Sequence, residues 1–157
     1  MTDAAVLADR TADRTLLLER VFRASPAQVY AAWTDPAVLP LWFGPDGFAC
    51  RTHAIDVREG GEWRAGKVGF GLTFPNRHRW TALAPPGPGE GRIEVLLGGD
   101  DAEPPKAVVV RLIPEGEGTR PVRSVTFPSP EGAAEARGYG AEKAQETLRK
   151  LAARLGE

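Results

Sequence analysis

The hydrophobic pattern predicts a strand-rich chain that ends in a helix. TLLLERVFRA, residues 15–24, is an apolar run with partial alternation, which indicates a strand. His53, Ile55 and Val57 alternate with Thr52, Ala54 and Asp56, and a Gly-Gly pair at 60–61 supplies the positive φ angles of a tight hairpin. The remaining predictions are strands at about 62–72, 78–84, 92–97, 106–113 and 121–127, with turns at Pro75-Asn76 and 85–91. This sequential spacing predicts an antiparallel meander.

Two helix starts follow the first strand. Ser25-Pro26-Ala27-Gln28 combines an N-cap serine, a proline at the first helical position and a glutamine that can complete a capping box. Asp35-Pro36 repeats the cap-then-proline arrangement. Pro40 lacks the N–H that would bond back to Pro36, so the second helix must be short or distorted.

The final helix, predicted from about Tyr139 to Leu155, has an uneven apolar stripe. Leucines from Leu148 onward fill its C-terminal half, whereas alanines such as Ala144 occupy the N-terminal half. If the sheet stays at packing distance along the whole helix, the alanine half leaves room for a ligand or for aromatic side chains. The aromatic candidates for this space are Trp42, Phe43 and Trp63.

Charge and cysteine content narrow the classes of partner. Twenty basic and twenty-one acidic residues give a net charge of −1, and the arginines are dispersed, so no nucleic-acid partner is expected. The single cysteine excludes an internal disulfide and suits a reducing cytosol. No stretch approaches the length of a transmembrane helix and residues 1–14 lack a signal-peptide core, so we expect a cytoplasmic protein without membrane insertion. We predict a flexible tail at 1–14 and a single domain at 15–157.

The sequence offers little recognisable catalytic chemistry. Two histidines and one cysteine lack zinc-site spacing, and the acidic segment 100–103 is typical of a solvated turn, so no metal is expected. GKVGFG, residues 66–71, lacks the third glycine of a dinucleotide loop, and no other cofactor motif occurs. Cys50 and His53 are three apart in a predicted strand and therefore point to opposite faces. His78, beside a predicted turn, is expected to be solvated.

Four segments resemble, in order, the START-like SRPBCC superfamily: PAQVYAAWTDP (26–36), LPLWFGP (39–45), DVREGGEW (56–63) and YGAEKAQETLRKLAARL (139–155). Over about Thr15–Leu155 the chain resembles the branch related to the C-terminal domain of the activator of the heat-shock protein 90 ATPase. The resemblance implies an α+β helix-grip fold, in which a curved antiparallel sheet of about six or seven strands wraps around a long C-terminal helix. Two short helices follow the first strand, and an apolar cavity lies between sheet and helix. Function stays open, because the superfamily includes lipid carriers, hormone receptors, polyketide cyclases and proteins that sequester toxic metabolites.

The candidate ligand-binding residues are those able to line such a cavity. They are Trp33, Trp42, Phe43, Phe48, His53, Trp63, Trp80, Phe127, Tyr139, Ala144 and Leu148. His53 is the one catalytic candidate: facing the cavity it would serve as a polar handle or general base, and facing outward it would be an ordinary surface residue. Arg64 buried without a carboxylate would favour an anionic ligand.

Three functions remain open at this point. The leading hypothesis is a monomer or homodimer that binds a small, mostly apolar or amphipathic molecule in the cavity. The second is an enzyme of the polyketide cyclase or hydrolase type with His53 as acid or base. The third is a protein-interaction or co-chaperone-like module that uses the Trp42-Phe43 surface.

Overall fold

The computed structural model describes residues 14–99 and 104–157, apart from the side chains of Leu18 and of residues 139–141. Seven strands form one antiparallel sheet in the order β1-β7-β6-β5-β4-β3-β2. The strands are β1 Thr15–Glu19, β2 Ala49–Ile55, β3 Glu62–Gly69, β4 Leu72–Ala84, β5 Gly91–Gly98, β6 Lys106–Glu115 and β7 Gly118–Thr126. The helices are α1 Pro26–Thr34, α2 Leu39–Trp42 and α3 Pro130–Arg154. The predicted helix-grip fold is confirmed.

The core lies between one face of the sheet and the helices. On β6 the inward positions are Val108, Val110 and Leu112, which alternate with more exposed residues. Helix α1 packs on β6 and β7, whereas α3 packs against β1 and α2. Within the described residues, no helix is long and apolar enough to span a membrane.

Helix α1 begins with the predicted capping box. The Ser25 hydroxyl accepts a hydrogen bond from the Gln28 amide at 3.2 Å, and the Gln28 side chain accepts one from the Ser25 amide at 2.9 Å. Its buried side chains are Val29, Ala32 and Trp33, as their helical spacing predicts. The cap therefore fixes the helix that brings Trp33 over the sheet.

The β3–β4 turn lies at Phe70-Gly71, so the predicted turn at Pro75-Asn76 is wrong. Phe70 and Gly71 have φ angles of 53° and 76°, the positive values that a two-residue hairpin turn requires. Pro75 instead pairs with Gly66 inside the sheet. The proline is tolerated because β4 pairs with β5 only from Arg77 onward. Pro75 therefore has no neighbouring strand on its β5 side, where the missing N–H would otherwise be needed. The hairpin is consequently longer than predicted, and the residues after Pro75 belong to a strand.

Helix α3 begins at Pro130, nine residues before the predicted start. The Ser129 hydroxyl accepts a hydrogen bond from the Gly132 amide at 3.1 Å, and Pro130 occupies the first turn, so the Ser-Pro device of α1 is repeated here. Glycines within the segment concealed the helix, because each one disfavours a helix by roughly 1 kcal/mol. At 25 residues the helix is about 37 Å long, enough to cross the sheet.

Candidate functional site

A cavity of about 970 Å³ lies between the inner face of the sheet and the N-terminal two thirds of α3. Its apolar walls include Leu97 of β5, Val125 of β7, Phe127 and, on α3, Ala136, Ala144 and Leu148. Beyond Leu148 the helix instead packs tightly through Leu151 and Ala152, which are buried in the core. The α3 residues that line the cavity thus include the small side chains of Gly132, Ala136 and Ala144.

The structure divides the predicted ligand-binding residues into two groups. Trp33, Phe43, Phe127, Ala144 and Leu148 line the cavity. Trp42, Trp63 and Trp80 are at most 1% exposed and belong to the packed core instead. Phe48 packs against Phe70 and Phe74 near the β3–β4 hairpin. The Tyr139 side chain lies outside the described residues.

Trp42 and Phe43 are buried, so they do not form an interaction surface. The Trp42 indole N–H donates to the Ala32 carbonyl at 3.0 Å, and its ring meets that of Trp33 edge-on at 4.8 Å. These contacts tie α2 to α1 and hold Phe43 against the cavity. The exposed large apolar side chains on β4 and its turn are Phe70, Leu72 and Phe74.

His53 and Arg64 lie away from this cavity. His53 is exposed and borders a separate depression of about 340 Å³ together with Arg64 and Thr73. Arg64 is also exposed, and its Nε lies 3.3 Å from Glu62 Oε1. The register of β2 shifts between Thr52 and Ala54, which breaks the simple alternation on which the predicted face of His53 depended. Arg64 is therefore not the unpaired buried arginine that would point to an anion.

His78, in contrast, is buried, so the expectation that it is solvated is wrong. Because β4 continues through Pro75, Asn76, His78 and Trp80 alternate onto the inner face. The His78 ring meets those of Phe43 and Trp63 edge-on at 4.7 and 4.8 Å.

The surroundings of His78 keep its imidazole neutral. Burial, followed by the charges of Arg123 and Lys67, lowers the pKa of His78 from 6.5 to about 3. The Asn76 amide nitrogen is 3.2 Å from Nδ1, an arrangement in which the amide donates to an unprotonated ring nitrogen. A proton on Nδ1 would place two donors face to face.

Four cationic residues that sequence reasoning missed line the cavity, and burial lowers the pKa of two of them, Lys67 and Arg123. Arg123 lies on β7 two residues before Val125, and Lys67 lies on β3 two residues after Ala65. Burial lowers the pKa of Arg123 to about 10, so its guanidinium stays charged at neutral pH. Burial also lowers the pKa of Lys67. The period-two register that Arg123 shares with Val125 and Phe127 was the available sequence signal.

The thiol and the carboxylates provide no competing chemistry within the described residues. Burial raises the pKa of the Cys50 thiol, which donates to the Phe43 carbonyl at 3.4 Å, so Cys50 is a poor nucleophile. No group of three or more His, Cys, Asp or Glu among the described residues is arranged to hold a metal ion. The cavity is lined by apolar side chains, by Lys67, Lys106 and Arg123 on the sheet, and by Glu135, Lys143 and Thr147 on α3.

Comparison with solved structures identifies the same fold in several bacterial proteins. Protein Ms6760 from Mycobacterium smegmatis is 22% identical, with a TM-score of 0.78 over 99% of this chain and 97% of that one. Protein CV1439 from Chromobacterium violaceum is 27% identical, with a TM-score of 0.70 over 88% and 95% of the two chains. The AHSA1 protein from Silicibacter pomeroyi is 26% identical, with a TM-score of 0.66 over 90% and 97%.

Sequence comparison agrees with these structural matches. Among curated proteins, none matches the sequence. Residues 23–156 match the family described as Activator of Hsp90 ATPase homolog 1-like protein, a range that spans α1 through α3 and every element that lines the cavity except β1. The chain therefore belongs to the Activator of Hsp90 ATPase homolog 1-like family, as the four sequence segments indicated.

Proposed function

We propose that the protein binds a small, mostly apolar molecule in the cavity between the sheet and α3. The observation that carries this proposal is the space itself, about 970 Å³ and partly open to solvent. Small-molecule sites typically enclose about 300–1,000 Å³ and are lined mainly by apolar side chains. The helix-grip fold of the family supports the same reading.

The contrast between the two ends of the domain also supports it. Proteins usually fill their interiors to nearly crystalline density. In the packed core of this domain, the interior is filled by Trp42, Trp63 and Trp80, each of which is at most 1% exposed. The α3 surface that faces the cavity carries Ala136 and Ala144 where larger side chains would close the gap. Small side chains at these two positions of α3 therefore help to leave the space open.

The test is a titration with N-phenyl-1-naphthylamine, an uncharged apolar dye that fluoresces when it leaves water. We expect saturable fluorescence with the native protein and weaker dye binding by Ala144→Trp, whose indole occupies part of the cavity. Ala153→Trp is the matched control, because Ala153 lies on the same helix but is exposed. Circular dichroism establishes that each variant is folded.

Two results would contradict the proposal. One is an absence of dye binding by the native protein. The other is full binding by a folded Ala144→Trp variant, which would place the dye somewhere other than the cavity.

A further inference from the structure

The cavity contains an arginine whose hydrogen bonds are incomplete. Arg123 Nε is buried, and within the described residues it has no hydrogen-bond partner. Other arginines of the chain behave differently: Arg92, Arg111 and Arg120 each lie within 2.9 Å of a carboxylate oxygen. A buried guanidinium donor without an acceptor is costly, so such groups usually mark a missing partner.

A second buried donor at the same cavity lacks an acceptor. Trp33 is 6% exposed, and its indole N–H has no partner among the described residues. The two other indoles whose hydrogen bonds are defined are satisfied, since Trp42 donates to Ala32 and Trp63 donates to Thr52, both at 3.0 Å. Trp33 and Arg123 both line the cavity, one from the helices and the other from the sheet, and the unmatched atom of each is covered by neighbouring protein.

The charge around the cavity favours an anion. Its described lining residues include four cationic side chains, Lys67, Lys106, Arg123 and Lys143, against the single carboxylate of Glu135. Lys143 is paired with Glu146 on the same helix at 3.8 Å. Lys67 and Arg123 lie deeper, on the sheet, where burial affects both. Among the described lining residues the sheet contributes no carboxylate, and an acidic ligand would bring a negative charge to Lys67 and Arg123.

We propose that the molecule bound in the cavity is an apolar carboxylic acid whose carboxylate accepts hydrogen bonds from Arg123. The planar guanidinium fork matches the two oxygens of a carboxylate. Lys67 supplies a second positive charge at the same cavity, while the apolar body packs against Val125 and Phe127. This inference rests on the proposed function and narrows it to one chemical class.

The experiment compares decanoic acid with decan-1-ol by calorimetric titration at about pH 7.5, where a carboxylic acid is ionised. The two probes share their chain and differ in the headgroup. A charge-assisted hydrogen bond contributes roughly 1.5–3 kcal/mol, so we expect the acid to bind about 10–100-fold more tightly than the alcohol. Arg123→Met should remove this preference, so that this variant binds the acid and the alcohol equally. Arg64→Met, an arginine exposed on the sheet and paired with Glu62, is the matched control and should keep it.

The outcomes separate the two proposals. Equal binding of acid and alcohol by the native protein, with both weakened in Ala144→Trp, would overturn the acid assignment and leave the apolar-ligand function standing. Binding of neither probe would overturn both. A preference for the acid that survives in Arg123→Met would overturn the role of Arg123. If the methionine variant does not fold, Arg123→Gln, which lacks the charge but keeps polar atoms, provides the same comparison.

Discussion

Replacement of Arg123 by methionine should raise the stability of the ligand-free protein. The methionine side chain extends as far as the position of Nε, and it carries neither the charge nor the buried Nε that lacks a partner within the described residues. Because that part of the chain offers Nε no hydrogen bond, the substitution removes the penalty at this atom. Leaving a buried polar group unsatisfied costs about 1–3 kcal/mol, which is the expected gain in the free energy of unfolding.

The assay is thermal unfolding by calorimetry without added ligand. In a domain of 157 residues, each kcal/mol shifts the midpoint by roughly 2–4 °C, so Arg123→Met should unfold about 2–12 °C higher than the native protein. The exposed control Arg64→Met should stay within roughly 0.5 kcal/mol of the native value. Saturating decanoate should then stabilise the native protein more than the variant, because only the native site has the cationic partner.

A lower midpoint for a folded Arg123→Met variant would refute this reasoning. It would mean that the guanidinium already has good partners in the protein, so that the cavity needs no anion to complete it. An unchanged midpoint would likewise contradict the account, since the unsatisfied group would then cost nothing.

Three further predictions concern other parts of the domain. The pKa of His78 is lowered from 6.5 to about 3 in the folded protein. Below about pH 6.5 the imidazole is therefore protonated in the unfolded chain but stays neutral in the folded chain. The free energy of unfolding should consequently fall on acidification by up to about 1.4 kcal/mol per pH unit. Urea unfolding between about pH 6.5 and 5 measures this dependence, and the slope of the free energy of unfolding against pH should be smaller in His78→Gln than in the native protein. Identical slopes in the two proteins would mean that His78 is solvated. Glu157 accepts hydrogen bonds from the Arg23 and Ala24 amides at 2.7 and 2.9 Å. Glu157→Ala should therefore lower the free energy of unfolding in urea by about 1–3 kcal/mol, and an unchanged midpoint would mean that these hydrogen bonds contribute nothing to stability. Ser25→Ala should cost about 0.5–2 kcal/mol and Ser25→Gly only a few tenths, and equal losses would argue against the capping box.

Much of the fold followed from local signals in the sequence. The Ser25 capping box and the alternation of the later strands correspond to elements of the structure. The tight hairpin predicted at Gly60-Gly61 is wrong, because only Gly60 has a positive φ, 83°, and the loop between β2 and β3 runs from residue 56 to residue 61. The β3–β4 turn was misplaced because Pro75 is a turn former by itself, and only the end of the β5 pairing makes it acceptable within a strand. Where the pairing with β5 ends depends on the tertiary structure, and the local sequence around Pro75 does not show it.

The cavity residues were harder to predict, because alternation shows which residues share a face without showing which face is inside. His53 and His78 illustrate this limit. A register shift in β2 accompanies the exposure of His53, whereas the continuation of β4 through Pro75 buries His78. Arg123 was missed for a related reason: a charged residue within a strand is normally assigned to the solvent face. Its position beside Val125 becomes informative only once the sheet curves around α3.

Native mass spectrometry shows whether the cavity holds a small apolar acid. The protein is purified from its own cells, and spectra are recorded before and after denaturation. We expect a discrete added mass that is lost on denaturation and recovered as an apolar carboxylic acid. The mass of the chain alone in both spectra, together with no thermal stabilisation by a panel of small acids and alcohols, would contradict this expectation.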